Sequence, residues 1–292
     1  MERMVIMSKV KIFVDTGADI TEEIAKKYDI DVINFLCVFG EKAYVAGEEL
    51  SNEEFYKLLL SSDELPKTSQ TTPAVMYEKL SNAAKENDAV VFFTISKNAS
   101  GEYHNAIMNA EIIKEENPDC DIRIVDTMTF SAYIGETAIK FRELLNEGKS
   151  VDDALDGALK MLSYYEVYIL VDSLKFLEKG GRIKKTAAIV GELLDIKPVL
   201  GIRDGLIEPI EKIRGKKKMF KKLVGLISES PEFDSDAKEF IIVESNKDYG
   251  DEAEELLKEE FDGAKIVRRY EFGPIIGTHI GNNALAILFK RK

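Results

Sequence analysis

The segment VKIFVDTGADITEEIAKKY, residues 10–28, decides how the fold begins. Its first residues, Val10–Val14, form a short run that is rich in β-branched side chains, and they predict a strand. Asp15–Gly17 then predict a loop, and Thr21 is a suitable N-cap for the helical stretch that follows. The segment therefore predicts a strand, a loop and a helix in succession, which is the repeating unit of an α/β fold.

The same unit recurs further along the chain. An apolar run over Ala89–Ile95 predicts a second buried strand followed by a helix, and Ile122–Val125 predicts a third strand. Between the first two units, Thr72 and Pro73 suit the N-cap and the first position of another helix. We therefore predict a three-layer N-terminal α/β domain with a mainly parallel sheet, over residues 8–168.

The second half of the chain has a different pattern. Asp204 and Gly205 lie between two apolar arms and predict a tight hairpin, while Pro209 in the second arm predicts an edge strand. The other elements predicted here are helices over 186–194, 215–229 and 251–261 and strands over 167–171, 240–243, 264–270 and 284–289. We predict a C-terminal α/β domain with a mixed or antiparallel sheet, over residues 169–292.

Composition argues against several classes of function. With 40 basic and 53 acidic side chains the formal charge is −13, so nucleic-acid binding is not expected. No apolar run approaches the roughly 20 residues that cross a bilayer, and no signal peptide is recognisable, which predicts a soluble, cytoplasmic protein without stable membrane insertion. The two cysteines and two histidines form no ligand cluster, and P-loop and GxGxxG motifs are missing, so we expect neither a metal nor a cofactor.

Several loops are candidates for a ligand site, because parallel α/β sheets bind anions beyond the carboxyl ends of their strands. The predicted loops at those ends are Asp15–Gly17, Lys97–Gly101 and Asp126–Thr129. The loop Thr68–Thr72 also leads into a helix N-terminus, and its hydroxyls can converge with those of Ser96 and Ser100. This pattern predicts a carboxylate or phosphate site, although helix capping alone also explains each Ser or Thr.

Two further segments carry candidate functional residues. His279 lies in GPIIGTHIGNN, where the glycines let the backbone approach a ligand closely and the ring need not lie in a helix. Arg182 in KGGRI can cap a helix, pair with an acid or serve a partner, and its context alone does not choose among these roles. A catalytic triad of Ser100, His279 and Asp15 is a further alternative, because triads are defined by geometry and not by chain order.

Seven short motifs occur in the order and spacing of one known family. They are IFVDTGADI, KTSQTTP, TISKNASGEY, VDSLKFLEKGGRIKK, IKPVL with its following DG, IRGKKK and IGTHIGNN. From Lys9 onward, the chain resembles the DegV family of bacterial fatty-acid-binding proteins. The resemblance implies a two-domain α/β protein that holds one long-chain fatty acid and hydrogen-bonds its carboxyl group through hydroxyls and a histidine.

The resemblance also assigns roles to individual residues. It implies that Thr68, Ser100 and His279 bind the carboxyl group of the fatty acid. The complete set of predicted fatty-acid-binding residues, which adds neighbours in the same loops, is Thr68, Ser69, Ser96, Ser100, Gly101 and His279. Arg182 corresponds to the KGGR arginine and is implied to contact a partner fatty acid kinase, which makes an acyl phosphate from ATP. The protein would then supply substrate and no nucleophile.

Some positions depart from the family pattern. Asp15–Gly17 replaces the usual Asp-Ser-Thr, Glu102 replaces the Thr after Ser-Gly, and Gly281–Asn283 replaces Gly-Pro-Gly. Two other functions stay open at this point. One is an enzyme, either an acyl hydrolase using Ser100 and His279 or a substrate-binding subunit similar to that of dihydroxyacetone kinases. The other is a regulatory protein whose Lys-rich helix binds an acidic partner.

Overall fold

A computed structural model describes residues 9–183, 196–215 and 218–292. Its residues form two compact units, the first running to Phe35 and resuming over Gln70–Met161, the second comprising Leu36–Ser69 and Leu162–Lys292. The predicted α/β class is confirmed, whereas the predicted division at residues 168/169 stays a prediction. The helix predicted near residues 186–194 lies outside the described part of the chain.

The elements, in chain order, are β1 (Val10–Asp15), a 3-10 turn (Thr16–Ala18), α1 (Glu22–Tyr28), β2 (Ile30–Ile33), β3 (Leu36–Phe39), β4 (Lys42–Val45), α2 (Asn52–Ser61), β5 (Lys67–Ser69), α3 (Pro73–Glu86), β6 (Ala89–Thr94), α4 (Glu102–Glu116), β7 (Ile122–Asp126), α5 (Ala132–Asn146), α6 (Val151–Met161), β8 (Tyr165–Val171), α7 (Lys175–Gly180), β9 (Ile196–Arg203), β10 (Leu206–Arg214), α8 (Met219–Ser228), β11 (Glu239–Glu244), α9 (Lys247–Glu260), β12 (Lys265–Glu271), α10 (Pro274–Ile280) and β13 (Ala284–Lys290). In the described residues, no helix is both long and apolar enough to cross a bilayer.

The first unit is built on a parallel sheet in the order β2-β1-β6-β7. Successive side chains of a strand face opposite sides of the sheet, and both sides of β6 are apolar. Phe92 packs in the cluster formed with α3 and α4, where Met76 and Ala106 also lie. Phe93 packs against Phe141 of α5, with ring centroids 5.5 Å apart. Helices thus cover both faces, which confirms the predicted three layers.

The second unit contains a six-stranded sheet in the order β10-β9-β8-β13-β11-β12. Only the β11/β12 pair is parallel, so the predicted mixed sheet is confirmed. Asp204 and Gly205 have φ angles of 52° and 70° and form the predicted hairpin between β9 and β10. Pro209 lies on β10 at the edge of the sheet, as expected for a residue that has no N–H to donate.

A small antiparallel sheet, β4-β3-β5, belongs to the second unit, and its strand β5 was not expected. The sequence predicts a loop across KTSQTTP, and this prediction is wrong over Lys67–Ser69, which pair with β3. The pairing depends on partners more than 25 residues away in the chain, so a local sequence pattern does not reveal it. Its consequence is that Thr68 stands opposite Cys37 on a strand, which fixes its backbone.

Candidate functional site

His279 lies in the last turn of α10, a short helix within the glycine-rich segment. Pro274 occupies the first turn, where its missing N–H costs nothing, and the Thr278 hydroxyl donates to the Pro274 carbonyl over 2.7 Å. Thr278 also lies 3.6 Å from the Sγ of Cys37 on β3. These contacts hold the helix that carries the histidine.

Two glycines allow close packing around α10. A Cβ added to Gly277 would lie 2.6 Å from Cε1 of Phe55 on α2, and one added to Gly281 would lie 2.8 Å from Cε2 of Phe176 on α7. Real Cβ atoms do not approach other atoms this closely. Gly281 also has a φ of +84°, which side chains rarely tolerate. The glycines that suggested backbone approach to a ligand therefore serve helix packing.

Thr68 and His279 are brought together, as the predicted site requires. The Thr68 Oγ1 lies 2.9 Å from the His279 Nε2, within hydrogen-bonding distance. Burial, followed by the positive charge of Arg182, lowers the pKa of His279 to about 4. The imidazole is therefore neutral at physiological pH and acts as a hydrogen-bonding group instead of a cation.

The KGGR segment lies against the same histidine. Gly181 ends α7 in the left-handed conformation, with a φ of +71°. Arg182 folds back so that its Nη1 donates to the carbonyl of Gly180. A Cβ on Gly180 would lie 2.3 Å from the His279 Nδ1. The sequence analysis missed Gly180, although helix termination explains only one of the two adjacent glycines and leaves the other to be explained by a close contact.

The loops predicted at the carboxyl ends of β1, β6 and β7 do meet in the first unit. The Ile95 amide donates to Asp15 Oδ2 over 2.6 Å, and the Ser96 amide donates to the Thr129 carbonyl over 3.0 Å. The Lys97 amide donates to Asp126 over 3.2 Å. This convergence follows from the parallel arrangement of the three neighbouring strands.

Ser96, Ser100 and Gly101 lie in the β6–α4 loop of the first unit. The hydroxyl oxygen of Ser100 accepts from the Glu102 amide over 3.2 Å, and that of Ser96 accepts from the Asn98 amide over 3.2 Å. Local turn and helix-start bonds thus account for one lone pair of each hydroxyl. Because a hydroxyl also carries a proton, Ser100 retains the capacity to donate to another acceptor.

The backbone amides near this loop are used by the protein's own carboxyl groups. Asp15 accepts from the amides of Gly17 and Ile95, and Glu102 accepts from the amide of Thr71 over 3.2 Å. Burial raises the pKa of Asp15 to about 7. Burial and the nearby charge of Asp15 raise the pKa of Glu102 to about 9. These amides therefore do not form the anion site that the sequence pattern suggested, and hydroxyls are the better candidates.

Glu102 gives a testable pH dependence of stability. Its pKa rises from 4.5 to about 9 on folding, so between these values the native state binds more protons than the unfolded chain. The free energy of unfolding must then fall as the pH rises through this window. Glu102→Gln cannot ionise and keeps an acceptor for the Thr71 amide, so we expect it to be more stable than the parent by about 1 to 3 kcal/mol near pH 8.

Urea unfolding of both proteins near pH 5 and pH 8 measures this difference. Glu111→Gln is the matched control, because Glu111 is exposed on the same helix and undergoes the same Glu-to-Gln change. A Glu102→Gln advantage that is the same at both pH values would contradict a protonated Glu102 in the native state.

Together, these features define an α/β protein in which a neutral histidine and a threonine form a polar pair. Residues 9–292 match the family described as uncharacterised protein, DegV family, and the chain belongs to that family. A DegV domain-containing protein of Clostridium perfringens is 31% identical over 291 residues, which cover 97% of this chain and 98% of the relative.

Solved structures agree with this assignment. The chain is similar to DegV of Bacillus subtilis, described as a fatty acid binding protein, with 27% identity, a TM-score of 0.83, and coverage of 98% of this chain and 100% of the other. It is also similar to a fatty acid binding DegV family protein of Streptococcus agalactiae, with 30% identity, a TM-score of 0.82, and coverage of 98% and 99%. The motif-based resemblance is therefore confirmed.

Proposed function

We propose that this protein binds one long-chain fatty acid and recognises its carboxyl group through Thr68, Ser100 and His279. The observation that carries the proposal is the 2.9 Å contact between Thr68 Oγ1 and the neutral His279 Nε2. In this contact the Thr68 hydroxyl lies beside His279. Packing on both sides of α10 holds the histidine in place. Ser69, Ser96 and Gly101 are the proposed flanking members of the site.

The two ends of the ligand contribute differently to the free energy of binding. Burial of a sixteen-carbon chain contributes on the order of 10 kcal/mol at about 0.8 kcal/mol per methylene, which is enough to dominate affinity. A buried carboxylate must still be hydrogen-bonded, because leaving it unpaired is costly. The hydroxyls of Thr68 and Ser100 are suitable donors, and they fix the orientation of the ligand without a cationic partner. The fatty-acid-binding relatives support this choice of ligand.

The protein is further proposed to act as a carrier and not as a catalyst. In this role it presents the carboxyl group to a separate fatty acid kinase, which forms the acyl phosphate from ATP, and Arg182 contacts that kinase. The hydrogen bonds of Asp15 to backbone amides and of His279 to Thr68 do not favour the alternative catalytic triad. We place this carrier in the cytoplasm, where ATP is available and where free thiols such as Cys37 persist.

Recognition of a charged carboxyl group can be tested with a neutral analogue. Palmitate and methyl palmitate offer nearly the same apolar surface, but the ester accepts weaker hydrogen bonds because it carries no charge. We expect delipidated protein to bind the ester about fivefold more weakly than the acid, the difference between a charged and a neutral hydrogen bond. Competition against a fluorescent fatty acid measures both affinities. Equal affinities would contradict carboxylate recognition.

A further inference from the structure

Gly180, the last residue of α7, faces the ring of His279. A Cβ at this position would lie 2.3 Å from Nδ1 and 3.1 Å from Cε1 of the ring. Gly181 differs, because a Cβ there would meet no described atom within 4 Å, and its left-handed φ explains its presence. The adjacent glycines thus have separate roles: Gly181 ends the helix and Gly180 makes room for the imidazole.

Arg182 contacts Gly180 as well. Its guanidinium donates to the carbonyl of Gly180, and its charge acts on His279. The Nδ1 atom of His279 is buried and has no hydrogen-bond partner among the residues that the structure describes. A ring nitrogen exposed to the field of a cation is more stable with a bare lone pair than with a proton. Because the guanidinium is bound to Gly180, the residue that lies against Nδ1, its charge favours a neutral ring whose proton is on Nε2.

We propose that Gly180 and Arg182 are positioning residues for His279, in which Gly180 seats the ring and Arg182 holds it in the tautomer protonated on Nε2. In this tautomer Nε2–H donates to the Thr68 oxygen, and the Thr68 hydroxyl proton is available to a ligand carboxylate. In the opposite tautomer Thr68 would donate its single proton to Nε2 and present only lone pairs to the ligand. The consequence for the ligand rests on the proposed function, whereas the tautomer does not.

The tautomer can be read directly by ¹⁵N NMR. His104→Gln removes the only other histidine, which is exposed on α4, so that both ring nitrogens of His279 are observed alone in the full chain. We expect Nδ1 to carry the lone pair and Nε2 the proton. Arg182→Ala should raise the population protonated on Nδ1, and Arg182→Lys, which retains the charge, should restore the parent pattern. A parent ring protonated on Nδ1, or no change in Arg182→Ala, would overturn the role of Arg182.

Gly180→Ala tests the seat of the ring against a matched glycine. Gly225 lies in α8 with no described atom within 4 Å of an added Cβ, so Gly225→Ala reports helix propensity alone. Propensity predicts that both substitutions stabilise the protein, since Ala favours helix over Gly. We expect Gly225→Ala to bind palmitate like the parent, and Gly180→Ala to shift the His279 resonances and to bind about tenfold more weakly, as for a lost hydrogen bond.

The possible outcomes test the role of Gly180 and the role of Arg182 separately. Unshifted His279 resonances and parental affinity in Gly180→Ala would overturn its positioning role. If Gly180→Ala does not fold, the tautomer in the parent and in the Arg182 variants decides. A parent protein that binds no palmitate would contradict the proposed function and leave the tautomer measurement intact.

Discussion

Arg182→Ala is expected to keep its bound fatty acid and yet to form acyl phosphate about thirtyfold more slowly with a cognate kinase. An arginine at the centre of a protein interface commonly contributes 2 kcal/mol or more to binding, which corresponds to about this factor. Arg182 is half-buried, and the role proposed for it is to set the tautomer of His279, an effect that saturating fatty acid compensates. The loss should therefore lie in the complex with the kinase.

Arg182→Lys separates the two roles of this side chain. It keeps the positive charge near His279 but loses the planar guanidinium that binds two acceptors at once. We expect parental fatty-acid affinity and reduced acyl phosphate formation, measured with purified kinase and ATP alongside lipid content and thermal melting. Normal turnover in both Arg182 variants would remove the partner role, and loss of bound lipid in both would place Arg182 in the ligand site.

The second large effect is expected at the head group of the ligand. Ser100→Ala and His279→Ala each remove a group from the proposed carboxyl site, at a cost of about 1 to 3 kcal/mol, so fatty-acid affinity should fall about tenfold or more. In His279→Ala the loss is indirect, because Thr68 loses the neighbour that is 2.9 Å from its hydroxyl.

Isothermal titration calorimetry with delipidated protein measures these affinities. His104→Ala is the matched control, since it removes an exposed histidine on α4, and it should bind like the parent. Parental affinity in both Ser100→Ala and His279→Ala would show that the carboxyl group is bound elsewhere.

Local chemistry explains which parts of the fold were predictable from sequence. The side chain of Thr72 caps α3 by accepting from the Val75 amide, and Ser51 and Glu54 form a reciprocal capping box on α2, since both patterns depend on residues three apart. The Asp204-Gly205 hairpin was also predictable, because its two turn residues are adjacent in the chain. By contrast, Lys67–Ser69 become a strand only through pairing with β3, a partner that no local pattern contains.

The candidate site likewise has parts that were predictable from sequence and parts that were not. Family motifs identified Thr68 and His279, but glycine content suggested that the histidine need not lie in a helix, and the structure shows α10. Tertiary packing overrides the low helix propensity of its glycines, because only residues without side chains fit against α2 and α7. The group that Gly180 accommodates was not predictable from its own neighbours, since this ring lies 99 residues further along the chain.

Fatty-acid binding itself is tested most directly by the lipid content of the native protein. The full chain should be purified from a bacterial host without added lipid, weighed intact by native mass spectrometry, and then extracted so that the released lipid is identified. We predict about one long-chain fatty acid per protein molecule. Burial of the acyl chain is favourable enough for the complex to survive purification. A protein that emerges empty, and that takes up no fatty acid when it is offered, would contradict the account.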